Sequence, residues 1–417
     1  MNVIINAYAV SPDWGSEQGM GWNWIVCLAR HCHLDIITEG EWRESIEKAV
    51  ADMPQRHNMV FHYLPVSDKV RKMCWNQGDW RFYYHYEKWQ RRALEKAKEI
   101  ISRKKIDLIH QLNMIGFREP GYLWKIKDIP FVWGPVGGME LMPMAYLEGA
   151  PLKQRLFNIL KNRITRFQYM HSPRVRAAIR RSSLLIAAVK GVQDVFSNIY
   201  HKESVLINET GVSPSSGIVK RKSEPGTPLN IIWVGKFDFR KQLPLALRAV
   251  AAARLSDFRF DICGSGPDET VAEMKKLADS LGIGSNCHWH GNVDHHKIPE
   301  MMADADLMLF TSIMEATSTV VLEAISVALP VLCFDTCGFG PVVRRFAGIT
   351  TDISSPALSV SDLAAQLRRV DKDRSILNII SGKIVEERDS LTWEAKALHT
   401  SEMYLRIISG QNPICHN

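Results

Sequence analysis

Short apolar runs of strand length alternate with longer stretches of helical spacing from one end of the chain to the other. In the first half, VIINAY, LDIIT, MVFHYL, IDLIHQL, PFVWGP, SSLLIAAV and SVLIN are predicted as strands. Between several of them lie stretches of helical period, such as WNWIVCLARH and the segment from Trp80 to Lys104. In the second half NIIWVG, FRFDICG, CHWHG, LMLFT, LPVLCF and GITTD read as strands, with LPLALRAVAAARL and VAEMKKLADSLG as intervening helices. Strands that alternate with helices imply parallel sheets joined by crossover helices. The periodicity fails in ETGVSPSSGIVKRKSEPGTP (209–228), rich in Ser, Pro, Gly and Lys, which is the expected seam between two domains.

The expected division is therefore 1–210 and 211–389, each an α/β domain with its own parallel sheet and with ligand at the carboxyl ends of its strands. Residues 390–409 form one long amphipathic helix after the second sheet is complete. A length of 417 residues suits two domains of ordinary size. With 46% hydrophobic and 23% charged residues the composition is that of a globular protein, which excludes a disordered chain. No apolar run approaches the roughly 18 residues of a spanning helix. MNVIINAYAV lacks a basic leader and a small-residue cleavage site and reads as a first strand. The eight cysteines form no CxxC pair, so reduced thiols and a cytoplasmic location are expected, with no zinc site.

A net charge of +7 points to nucleic acid, an anionic membrane surface or a phosphate-bearing substrate. The basic residues concentrate in 81–105 and 153–181, both of helical period. In the second stretch Leu156, Phe157, Leu160, Ile164 and Phe167 fall on one stripe among Lys and Arg residues, either a solvated basic face packed on the core or a helix for a membrane surface. No recognisable nucleic-acid module accompanies the charge.

The chemistry concentrates in the second half. In SIMEATSTVVLEAISVALPVLCF a strand ends shortly before Glu315, ATS breaks the chain, and a helix starts near Ser318 or Thr319, where unpaired N–H groups form an anion site. Ala316, Thr317, Ser318 and Thr319 lie at that helix entrance, and Glu323 follows about a turn and a half inside. Two carboxylates so placed suit one acid on a sugar and one on a ribose. In IIWVGKFDFRKQLPLALRAV a strand runs into Gly235, followed by Lys236, Arg240 and Lys241, cations able to hold a diphosphate. FDICGSGPDE places Gly264 and Gly266 in a tight turn that a ring or backbone can approach. Neither GxGxxG nor GxxxxGK[ST] occurs, which disfavours dinucleotide and P-loop sites. In AYAVSPDWGSEQGMGWNWI, Gly15 and Gly19 precede a helix whose amides could face an anion.

These pieces, in this order, resemble the family-4 retaining glycosyltransferases of the GT-B fold, most strongly from Asn230 to about Thr350. The family's two glutamates separated by seven residues match Glu315 and Glu323. Its Gly-Arg-Leu and Lys clamp matches Gly235–Lys236–Phe237 with Lys241, a lysine replacing the usual arginine. Its Gly-x-Val segment, whose backbone meets the base, matches Gly291–Asn292–Val293. The resemblance implies two Rossmann-like domains, the final helix crossing back to the first. It implies Glu315, Lys236 and Lys241 as catalytic, with Glu315 on the donor sugar, Glu323 on the ribose and Val293 near the base. Acceptor-side candidates are His110, Gly137 and Gly138; the last two stand where many members carry a histidine after the strand matched by PFVWGP, and could offer amides instead.

The expected function is metal-independent retaining transfer of a sugar from a UDP- or GDP-linked donor to a glycan or lipid-linked acceptor. It needs no cofactor beyond that co-substrate and no nucleic-acid partner, and the inner membrane face is a possible peripheral location. Two readings of other classes stay open from the sequence. A nucleotide-sugar epimerase would share the phosphate clamp, and a non-catalytic nucleotide-sugar or RNA-binding protein would bind without turnover.

Overall fold

The structure, a computed structural model, describes residues 1–76, 79–147, 150–212, 222–316 and 318–414. Strands β1 (Asn2–Ala7), β2 (His33–Thr38), β3 (Met59–Tyr63), β4 (Leu108–Asn113), β5 (Phe131–Val136), β6 (Leu184–Ala187) and β7 (Val205–Leu206) build one sheet in the order β3-β2-β1-β4-β5-β6-β7. Strands β8 (Leu229–Val234), β9 (Phe258–Cys263), β10 (Cys287–Gly291), β11 (Leu307–Phe310), β12 (Val331–Phe334) and β13 (Ile349–Thr351) build a second, in the order β10-β9-β8-β11-β12-β13. The pairings are parallel, as strands separated by crossover helices require. Each strand coincides with an apolar run of the sequence. In β1, Ile4 points into one hydrophobic cluster while Val3 and Ile5 point into the other, so the period of two buries both faces of the first sheet.

The chain divides into two compact units, Met1–Glu140 with Ile164–Thr210 and Trp393–Asn417, and Leu141–Arg163 with Gly211–Thr392. Leu141–Arg163 groups with the second unit because Met142, Tyr146 and Leu147 are buried in its core. The Tyr146 hydroxyl also meets Ser359 Oγ at 2.5 Å. Residues 213–221 of the expected seam lie outside the described residues.

In each sheet the strand order reverses once, between β1 and β4 in the first and between β8 and β11 in the second. The loops leaving the carboxyl ends of neighbouring strands diverge at such a point, and a crevice opens.

The last helix, Trp393–Ile408, belongs to the first unit. Glu394 pairs with Arg30 at 2.8 Å, and Lys396 Nζ donates to the carbonyls of Asn208, at 3.1 Å, and Thr210. Tyr404, fully buried, bonds His110 Nδ1. The Gly134 carbonyl accepts from His110 Nε2 at 2.6 Å, which leaves the Nδ1 lone pair to accept the tyrosine hydroxyl. His110 is thus a neutral core residue tying β4, β5 and the last helix together, not an acceptor contact. Burial pushes its pKa down from 6.5 to about 4.

That depression has a measurable sign. The unfolded chain protonates His110 as pH falls through its ordinary range while the folded chain does not, so its contribution is present above pH 6.5 and lost as pH falls toward 4. The loss is of order 3 kcal/mol. His110→Gln should flatten the fall in unfolding free energy across that interval; parallel acid profiles for variant and wild type contradict the assignment.

Candidate functional site

At the reversal point of the second sheet a cavity of about 640 Å3 opens. It lies among the loops that follow β8, β9, β10 and β11, and the start of helix Thr319–Ser326 forms one wall. Gly235, Lys236, Arg240, Lys241, Gly264, Val293, Glu315, Thr319 and Glu323 all line it, so one space gathers residues drawn from four separate sequence motifs.

Local packing explains the glycines. Gly264 has φ +144°, and a Cβ there would sit 1.7 Å from the Gly235 carbonyl oxygen. A Cβ on Gly266 would meet the Phe237 Cβ at 2.8 Å. Their absence lets the turn after β9 lie directly against the loop after β8, where Phe237 N donates to the Ser265 carbonyl at 2.9 Å. Gly266 itself supports the wall without lining the cavity. Thr311, at the end of β11, fixes the far side of the loop: its hydroxyl donates to the Lys241 carbonyl at 2.8 Å and accepts from Trp233 Nε1 at 3.1 Å.

The charges are largely paired with one another. Lys241 Nζ lies 2.8 Å from Glu315 Oε1, which also accepts from Ser312 Oγ at 2.9 Å. The Glu315 amide points at Cys337 Sγ, 3.3 Å away. Arg240 is turned back onto Asp238 at 3.0 Å, and Glu323 meets Nε2 of exposed His295 at 3.1 Å. Among the described residues Lys236 has no ion-pair partner. The helix beginning at Thr319 presents first-turn amides that have no acceptor within the helix. Ser318 occupies the N-cap position with its side chain buried and not capping, Ala316 is exposed, and Thr317 lies outside the described residues. An arriving diphosphate therefore meets one unpaired ammonium, a helix N-terminus and two cations held by carboxylates.

Sequence reasoning missed His295, Ser312, Asp238 and Cys337. Of these only Asp238, inside the basic turn, carried a local signal. Two Asp-x-Asp sequences, a pattern suited to a divalent ion, occur at Asp304–Asp306 and Asp371–Asp373, and neither lines this cavity. Arg374 bonds Asp371 at 2.9 Å and faces Asp306 at 3.7 Å.

The remaining candidates lie in the first unit, at the reversal point between β1 and β4. Asn113 braces the loop after β1, accepting from Ala9 N at 3.2 Å and donating to the carbonyls of Ala9 at 2.6 Å and Glu17 at 3.2 Å. Glu17 Oε1 accepts from Ile115 N at 3.1 Å, its other oxygen is buried without a partner, and burial pushes the carboxyl up to about 7. Gly15 is exposed with open space around it, whereas a Cβ on Gly19 would strike the Trp14 carbonyl oxygen at 2.2 Å, so Gly19 is needed for packing. Gly137 is buried and its amide donates to the Ile115 carbonyl at 2.8 Å, so that amide is not available to a ligand. Gly138, at φ +81°, is exposed.

Residues 217–388 match the family model described as glycosyl transferases group 1. Over 199 residues the chain is 25% identical to the putative colanic acid biosynthesis glycosyltransferase WcaL of Salmonella typhimurium; the match covers 44% of this chain and 48% of that protein. The chain thus spans about half the length of that relative. Its fold is similar to that of a lipopolysaccharide outer core galactosyltransferase, WaaB, in its apo form, with TM-score 0.59 and 15% identity over 96% of this chain and 99% of that one. It is similar also to Anabaena Alr3699/HepE in complex with UDP, with TM-score 0.55 and 15% identity over 96% and 99%. These likenesses establish the GT-B architecture of two Rossmann-like domains.

The turn geometry yields a stability prediction. Gly264→Ala must displace the Gly235 backbone as well as adopt a left-handed φ, and should cost about 3 kcal/mol or more. Thermal unfolding should show the melting temperature falling by several degrees; an unchanged profile contradicts the close approach.

Proposed function

We propose that this chain, whose second unit is a group 1 glycosyl transferase domain, moves a sugar with retention of configuration from a UDP- or GDP-linked donor to a glycan or lipid-linked acceptor. One observation carries the reading: a single cavity at the reversal point of the second sheet collects three cations, a helix N-terminus and three carboxylates. Its volume of about 640 Å3 is within the usual range for a small-ligand site. A similarly folded protein solved with UDP and a relative described as acting in colanic acid biosynthesis support the donor class and the setting in envelope or polysaccharide synthesis.

In this reading the second unit, Leu141–Arg163 with Gly211–Thr392, holds the donor. Lys236 and the amides at Thr319 and Val320 receive the diphosphate, and Lys241 turns from Glu315 toward it. Glu315 then accepts a hydroxyl of the donor sugar, while Glu323 exchanges His295 for the ribose. Val293 lies beside the base. The bond from the anomeric carbon to the diphosphate oxygen breaks, and its electron pair leaves with the phosphate. The acceptor hydroxyl attacks from the face the phosphate vacates, and its proton passes to a departing phosphate oxygen. The protein supplies fixed positive charge where negative charge develops. Those cations perform the neutralising task, so a divalent ion is not required.

The first unit, Met1–Glu140 with Ile164–Thr210 and the final helix, serves the acceptor side, where Gly15 and Gly138 offer exposed backbone. The enzyme works in the cytoplasm, reversibly attached to the inner membrane face.

Glu315→Gln should leave the fold intact and lower turnover by about a hundredfold or more, because the contact it removes is made to the reacting sugar. Wild-type turnover should persist in EDTA. A folded variant with near-wild-type turnover, or strict dependence on added magnesium or manganese, contradicts this mechanism.

A further inference from the structure

A cation withdrawn from water costs free energy unless a carboxylate accompanies it, and two arginines of the first unit follow that rule. Arg71 lies on Glu39 at 2.9 Å, and Arg174 lies on Glu119 at 3.0 Å and Glu87 at 3.6 Å. Arg118 departs from it. The residue is partly buried, yet among the described residues it makes no ion pair. Its chain neighbour Glu119, itself buried, goes to Arg174 instead. Burial pushes the pKa of the Arg118 guanidinium down, and the group that opposes this is the Tyr83 phenol, not an acid.

Neutral groups hold Arg118 in place. Its Nε donates to Gln168 Oε1 at 2.7 Å and its Nη2 to Thr165 Oγ1 at 2.8 Å, and the guanidinium carbon sits 4.8 Å from the centre of the Phe117 ring. These contacts, all within the first unit, fix the plane of the group and leave its charge uncompensated. Nη1 has no partner among the described residues. It lies beside exposed Gly138, 3.8 Å from where a Cβ on that glycine would stand. The backbone here is braced as well: Gly116 and Gly137 bridge the loops after β4 and β5, and Phe117 N donates to the Gly137 carbonyl at 3.2 Å. The open nitrogen is thereby held beyond the carboxyl end of β4, one of the two strands at the reversal point, where sheets of this kind take their ligands. A guanidinium edge bonds a carboxylate or phosphate about twice as strongly as it bonds a neutral acceptor. One such edge suits one oxyanion, whereas a nucleic-acid backbone is met by several cations in series.

We propose that Arg118 is the seat for one oxyanion of the acceptor, an ester phosphate or a uronic carboxylate, so that the acceptor glycan is an acidic one. This deepens the proposed function by naming the acceptor's chemistry, and it rests on the glycosyl-transfer reading for calling the ligand an acceptor. The oxyanion takes the position that a carboxylate side chain holds at Arg71 and Arg174, and the acceptor is oriented by that bond against a guanidinium whose plane is already fixed.

Calorimetric titration of the full chain with glucose 6-phosphate, glucuronate and glucose, with and without UDP or GDP, tests it. At least one of the two acids should bind about tenfold more tightly than glucose, and should keep that affinity when nucleotide is present. Which acid binds tells ester phosphate from carboxylate. Arg118→Met should lower the acid's affinity about tenfold, and Arg118→Lys should restore part of it. Gly138→Asp and Gly138→Asn decide the matter even if Arg118→Met fails to fold, because they keep the arginine and its anchors. Both bear the same backbone strain at φ +81°, which Asp and Asn tolerate better than other side chains. The aspartate sets a carboxylate beside Nη1. That variant should therefore bind the acid about tenfold more weakly than the asparagine variant and melt a few degrees higher. Glucose bound as tightly as both acids, or acid affinity equal in the Asp and Asn variants, overturns the proposal. So does acid affinity equal in folded Arg118→Met and wild type, and so does acid binding that nucleotide abolishes, which would place the arginine on the donor's diphosphate. If neither nucleotide binds while acid binding still depends on Arg118, the glycosyl-transfer reading fails and the seat stands.

Discussion

The arrangement of the second unit's cavity depends on the Lys241–Glu315 ion pair, 2.8 Å long, with both side chains largely withdrawn from water. A carboxylate placed there alone would be strongly disfavoured, and a cation alone would be too. Ser312 and the Cys337 thiol complete the shell of Glu315, and Phe310 lies under the ammonium at 5.1 Å from its ring centre. The pair therefore does two things. It allows β11 and the loop after β8 to approach each other, and it stores in one contact the two charges that a sugar diphosphate would draw apart.

The rest of the cavity is arranged around that contact. Gly264 and Gly266 bring the turn after β9 against Gly235 and Phe237, which narrows the opening to a strip of backbone flanked by Lys236. The helix from Thr319 begins immediately beyond Glu315, so its positive end faces the same space. The first unit has the same topology but a different solution. Its reversal point is closed by Asn113, which carries no charge, and by Glu17, whose carboxyl burial pushes up to about 7, and no comparable set of cations appears there among the described residues. Strong charge pairing marks one reversal point, and bracing by an amide and a single carboxyl marks the other.

The fold was legible because every strand in it coincides with an apolar run bounded by polar residues. Most of the cavity was legible for the same reason. Gly235, Lys236, Lys241, Gly264, Val293 and Glu315 each lie within a few residues of a strand's carboxyl end, where local sequence predicts position. What local sequence did not carry is what distant packing decides. His110 sits in a strand like any other candidate, but Tyr404, nearly three hundred residues later, makes it a core residue. Gly137 resembles an open glycine until Ile115 takes its amide. Leu141–Arg163 reads as part of the first domain, yet Met142 and Tyr146 are buried in the second unit's core. The helical stripe at Leu156–Phe167 had two readings in sequence, covered or exposed, and only its solvent exposure distinguishes them.

If Lys241 is shared between Glu315 and a diphosphate, the two compete for it, and neutralising the carboxylate should release it. Titration of UDP and GDP into wild type and Glu315→Gln by calorimetry measures that competition directly. The account predicts that whichever nucleotide the wild type binds is held several-fold tighter by the variant, and that this gain disappears when Lys241→Ala is added. Equal or weaker affinity in Glu315→Gln, or a gain that survives the loss of Lys241, would contradict it.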